Sequence, residues 1–150
     1  MRNIIAMLII LVASKAVFAG QGVTCYDYRN IQVAEIPTTQ INDIAKADII
    51  NGSPVILYNP NIVASHVKQV DTFFFWHECA HHALAHTIRN IPFSREQEAD
   101  CWAIRGLVSI GAFTDYDIRV LQTALASFGK GDWTHLPGPA RAVNLSSCLL

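Results

Sequence analysis

Two histidines four residues apart, His77 and His81, with Glu78 directly after the first, constrain this chain more than any other feature. On an α-helix of ~3.6 residues per turn the pair differ by only ~40° in angle and ~6 Å in rise, so both imidazoles reach one ion. Glu78 lies ~100° round the same helix, which puts its carboxylate beside that ion rather than on it. There it is suited to take a proton from a water that the ion polarises. The flanking residues ask for burial. Phe73, Phe74, Phe75 and Trp76 precede the pattern, Ala80, Ala83, Leu84 and Ala85 follow it, and Gly and Pro are absent from residues 73–90. The spacing predicts a helix over residues 71–89.

A third ligand lies downstream. Ser94 and Gln97 have the spacing of a capping box and start a second helix, predicted over residues 95–110 and stopped by Gly111. Glu96 and Asp100, again four apart, share one face of it. Glu96 completes a His₂Glu set for one Zn²⁺, with an open fourth position. Asp100, one turn on, can accept the free ring N–H of a ligand histidine and fix its tautomer. A short turn at residues 90–92 joins the two helices.

With both helices in view, the chain resembles the gluzincin zinc metallopeptidases, whose pattern is H-E-x-x-H followed by E-x-x-x-D on a second helix. The run Glu96-Gln97-Glu98-Ala99-Asp100 looks like the E-x-x-A-D form of the membrane heat-shock peptidase and the prenyl-protein (CAAX) endopeptidase. The resemblance covers residues 54–141, although its motifs occupy only about twenty positions. It implies zinc held by His77, His81 and Glu96, with Glu78 as general base. It also implies that a strand ahead of the zinc helix runs along the cleft, and that a T-H-P-like turn followed by an arginine serves the oxyanion. His135 and Arg141 match that turn in type and order, though Thr134-His135-Leu136-Pro137 departs from it. The chain lacks the relatives' several membrane spans, so membrane-embedded substrates do not carry over.

Residues 1–19 read as an export signal: Arg2, an apolar run from Ile4 to Val12, then Val17-Phe18-Ala19 for cleavage. The run is short for a membrane span of ~20 apolar residues. The domain is therefore expected over residues 20–150, large enough for one core. Removing Arg2 and Lys15 leaves 9 basic against 12 acidic residues. With no Lys/Arg run, neither nucleic acid nor a lasting hold on a membrane after cleavage is expected as partner. Cys25, Cys79, Cys101 and Cys148 all follow the signal, and four cysteines in an exported chain predict two disulfides. Three connectivities are open.

Elsewhere the sequence gives scaffolding. Residues 41–47 have the pattern of a short helix, Asn51-Gly52 marks a turn, and residues 53–60 form a β-rich strand bounded by prolines. By the resemblance, this strand's edge can take an extended peptide. Residues 61–70 lead into the zinc helix. His82 and His86, turned ~100° from the first pair, read as groups behind the ligands or on the surface. Thr114 to Asp117 caps a third helix carrying Ile118, Leu121, Leu125 and Phe128, and residues 131–141 form a constrained Gly/Pro loop. The expected fold is α+β: a minimal gluzincin-type domain with a small sheet, the two-helix zinc unit and a helical C-terminus. The expected activity is an exported zinc-dependent peptidase acting on a peptide or protein. A zinc-binding scaffold without turnover and an amidase on cell-wall peptides are the alternatives. Retention of Glu78 argues against the scaffold, because binding zinc needs the ligands but not the base.

Overall fold

The structure, a computed structural model, describes residues 23–88, 94–131 and 136–150; the export signal, the turn at 90–92 and His135 lie outside them. It is mixed α and β, as expected. Strands β1 (Ala34–Pro37), β2 (Ala45–Ile50) and β3 (Ser53–Tyr58) form a sheet in the order β1-β3-β2. β1 runs parallel to β3 and β2 antiparallel to it.

β2 replaces the helix expected over residues 41–47. Asn51 and Gly52 both have positive φ, 50° and 80°, which is what a two-residue type I′ hairpin turn requires. That turn folds Ala45–Ile50 back along β3, in register from Ala45↔Tyr58 to Ile50↔Ser53. Pairing along the whole strand outweighs the modest helix propensity of two alanines and one lysine.

A second correction follows from the strand order. β3 is central, so its backbone is engaged on both sides and cannot add an extended peptide. The edge beside the helices belongs to β2. The Ala47 N–H donates to Glu78 Oε2 at 2.6 Å, so it points away from β3. By strand alternation the Ile49 N–H points the same way, and it donates to Asp48 Oδ1 at 2.8 Å.

After a short turn, α1 (Pro60–Val63), helix α2 (Lys68–Ala83) carries the two histidines. Val70, Phe73, Phe75 and Ala80 are almost wholly buried, because the sheet, α3 and α4 all pack on α2. α2 stops at Ala83, short of the expected end at residue 89. Ala85 there has φ 61°, the Ala85 N–H donates to the His82 carbonyl (3.2 Å), and the His86 N–H donates to the His81 carbonyl (2.8 Å). This is a Schellman closure with alanine where glycine is usual.

Helix α3 (Ser94–Ser109) approaches α2 on small residues. Ala99 and Ala103 are fully buried, and a Cβ on Gly106 would lie 2.5 Å from the Trp76 ring. That closeness brings short carboxylate side chains on α3 within reach of α2. Helix α4 (Asp115–Ala126) begins at the Thr114–Asp117 capping box and buries Ile118, Leu121 and Leu125.

Helix α5 (Gly138–Ser147) takes up the last four residues of the expected loop and runs on beyond it. Its Gly-Pro start is compatible with a first helical turn, where a missing N–H leaves no bond unmade. A Cβ on Gly138 would collide with the Leu125 and Phe128 carbonyls, so only glycine lets α5 begin against the end of α4.

Two cysteine pairs stand at disulfide distance: Cys25 with Cys79 (Cα–Cα 5.7 Å) and Cys101 with Cys148 (4.9 Å). Among the described residues no helix is long and apolar enough to cross a membrane.

Candidate metal centre

The C-terminal turns of α2 and the first turn of α3 converge on one point. His77 and His81, one turn apart on α2, put their Nε2 atoms 3.1 Å apart. Glu96, in the first turn of α3, places Oε2 3.1 Å from His77 Nε2 and Oε1 3.4 Å from His81 Nε2. A tetrahedral ion with bonds of ~2.0–2.1 Å needs donor atoms ~3.3 Å apart. The three side chains therefore fit a metal ion, and they form a His-His-Glu cluster able to hold one. The chain matches no protein-family model, no curated protein and no solved structure.

Behind each histidine stands a partner for the ring nitrogen that faces away from the cluster. His77 Nδ1 lies 2.7 Å from Asp100 Oδ1. Asp100 is in turn gripped by Arg141, whose Nε donates to Oδ2 (2.8 Å) and Nη2 to Oδ1 (2.6 Å). Arg141 is buried, with its guanidinium 4.9 Å above the Phe74 ring. Burial works against charge on both groups. The Arg141 charge and His77 outweigh it at Asp100, which is held below the usual carboxylate range. Burial likewise disfavours a charged His77, but Asp100 and Glu96 prevail and push it up to about 9. A cation at Nε2 displaces that proton.

Behind His81 stands His86, which the sequence left between a surface role and one behind the ligands. It is buried, with Nδ1 3.1 Å from His81 Nδ1 and Nε2 3.1 Å from Glu98 Oε2. Burial, reinforced by His81, lowers its pKa and favours the neutral ring. His82 is further from the chemistry: its buried Nε2–H donates to the Val55 carbonyl at 2.8 Å, tying α2 to β3.

Glu78 is buried and takes no part in the three-atom cluster, as the ~100° offset requires. Its Oε2 accepts from the Ala47 N–H, a partner hidden from sequence reading because residues 41–47 were expected to be helical. The Asn51-Gly52 hairpin signal was the clue that a strand precedes it. Two hollows meet at His77 and Glu78 beneath β2. One, about 440 Å³, runs past Lys46, His81, His86 and Arg95. The other, about 210 Å³, is walled by Phe74, Phe128, Leu136 and Arg141. Thus the structure brings together Glu78, His77, His81, Glu96, Asp100 and Arg141, while His135 lies outside the described residues.

Proposed function

We propose that this chain is an exported, zinc-dependent peptidase of the gluzincin type, hydrolysing a peptide bond with Glu78 as general base. The observation that carries the reading is the arrangement of His77, His81 and Glu96 donors at 3.1–3.4 Å, with one carboxylate, Glu78, buried beside the set but not in it. Zinc held by these three residues supplies Lewis acidity and brings the pKa of a water down toward ~7. Glu78 accepts the proton of the attacking water and returns it to the departing amine nitrogen. The Ala47 N–H bond fixes one carboxylate oxygen and so orients the other. Asp100 holds His77 in the tautomer that leaves Nε2 for the ion, and Arg141 keeps Asp100 ionised. We assign the carbonyl oxygen to His135 and Arg141, the latter by its charge beside the cleft. A peptide substrate lies in the cleft beneath β2, where its side chains enter the two hollows. Export is supported by the two cysteine pairs at disulfide distance.

The test is a peptide-library screen of the protein with and without a chelator, followed by Glu78→Gln. The expected result is one zinc per chain in both proteins and a fall in kcat of ~10²–10⁴ in the variant. Loss of zinc from Glu78→Gln would make Glu78 a ligand, and zinc-loaded protein that cleaves nothing would favour the scaffold.

A further inference from the structure

The turn after α2 carries a feature that closing the helix does not require. In a Schellman closure the residue two positions beyond the cap commonly makes an apolar contact with the helix turn it faces. Here those two positions are His86 and His81, and the contact is between their rings, with centroids 5.2 Å apart. The turn is made at Ala85, buried, at φ 61°. A left-handed conformation is unfavourable for a non-glycine residue. The backbone is pinned from outside as well, since Arg95 Nη1 donates to the His86 carbonyl at 2.9 Å.

The protons along this chain can be ordered in only one way once His81 binds through Nε2. The one ring proton left on His81 is then on Nδ1, directed at His86 Nδ1 3.1 Å away. His86 must accept there, so its own proton sits on Nε2, and that atom faces Glu98 Oε2 at 3.1 Å. Each donor meets an acceptor from His81 to His86 to Glu98.

We propose that His86 is a positioning residue for the metal centre: as an Nε2–H tautomer fixed by Glu98, it accepts the His81 Nδ1–H and locks that ligand's orientation. This rests on the zinc reading above and adds to it. His77 has a carboxylate behind it, and His81 has a histidine–carboxylate relay that enters from the helix closure. Outer partners of this kind typically contribute ~10–100-fold in metal affinity.

The experiment measures the Zn²⁺ dissociation constant, by competition with a chromophoric chelator, for wild type, His86→Phe and His86→Asn. Phenylalanine keeps a ring against His81 but accepts nothing, whereas asparagine returns an acceptor near the Nδ1 position. The expected result is ~10–100-fold weaker binding in His86→Phe, with recovery to within about threefold in His86→Asn. Equal affinity in wild type and His86→Phe overturns the proposal. If His86→Phe fails to fold, ¹⁵N NMR of zinc-loaded wild type decides. The proposal requires a proton on His81 Nδ1 and a coupling across the hydrogen bond to His86 Nδ1. Zinc on His86, or a proton on His86 Nδ1, overturns it. Wild-type protein that binds no zinc overturns the zinc reading and this inference together.

Discussion

Asp71 illustrates how a single side chain can work against the fold that holds it. It stands in the first turn of α2, where the helix dipole favours a negative charge by ~0.3–1 kcal/mol. Burial prevails nonetheless: Oδ1 is buried without a hydrogen-bond partner, and the carboxyl is pushed up to about 6. An acid whose folded pKa exceeds its unfolded one holds its proton more tightly when folded. Its penalty is therefore absent below the unfolded value near ~3.9, grows through the interval, and is complete above about 6. Asp71→Asn should raise Tm at about pH 7.5 and leave it nearly unchanged at about pH 4, measured on metal-stripped protein. An equal shift at both values would mean that charge is not the cause. Residues of the site were legible from sequence where the helix period alone brings them together, as with His77 and His81 or Glu96 and Asp100. Arg141 was not legible in its place on Asp100, 41 residues away. That contact depends on α5 packing against α4, which nothing local dictates.

Among the elements, helices were read better than strands. α4 was visible because Thr114 and Asp117 satisfy each other's backbone groups within four residues: the Thr114 N–H donates to Asp117 Oδ2 (2.9 Å) and the Asp117 N–H to Thr114 Oγ1 (3.4 Å). Thr114→Ala should cost ~1 kcal/mol, about 4 °C in Tm for a domain of this size, followed by circular dichroism. Hydrogen bonds from Thr114, then Gln69, hold the Asp117 carboxyl down at about 2. Its contribution is thus full above the unfolded value near ~3.9 and disappears as pH falls through about 2. A Thr114→Ala protein as stable as wild type would show that α4 is fixed by packing alone. β2 was missed for the opposite reason. Ala45, Lys46 and Ala47 have no strand preference of their own, and their conformation is set by β3 across the Asn51-Gly52 turn. The start of α5 was missed because Gly and Pro there read as a loop, although both are compatible with a first helical turn.

At the scale of the whole molecule, each cysteine pair ties a site-bearing helix to a segment distant in the sequence. Cys25–Cys79 spans 54 residues and Cys101–Cys148 spans 47. Cys79 lies between Glu78 and His81, and Cys101 follows Asp100. Such pairing is set by the assembled fold, so the sequence left three connectivities open. Peptide mapping without reduction should recover these two links. Cys101→Ser with Cys148→Ser should cost ~2–4 kcal/mol and loosen zinc as well, because the bond presses α3 and α5 together where Asp100 meets Arg141. Retained Tm and zinc in the double variant would separate the link from the site. The outer edge of β2 has a consequence for the protein in concentrated solution. Its outward N–H groups at Ala47 and Ile49 are occupied by the carboxylates of Glu78 and Asp48. A row of acceptors with its donors engaged is a poor template for another molecule's strand, so copies of the protein are kept from joining edge to edge. The carboxylate assigned to chemistry thereby also guards against aggregation, and truncating Glu78 to alanine reopens the Ala47 donor to a neighbouring chain.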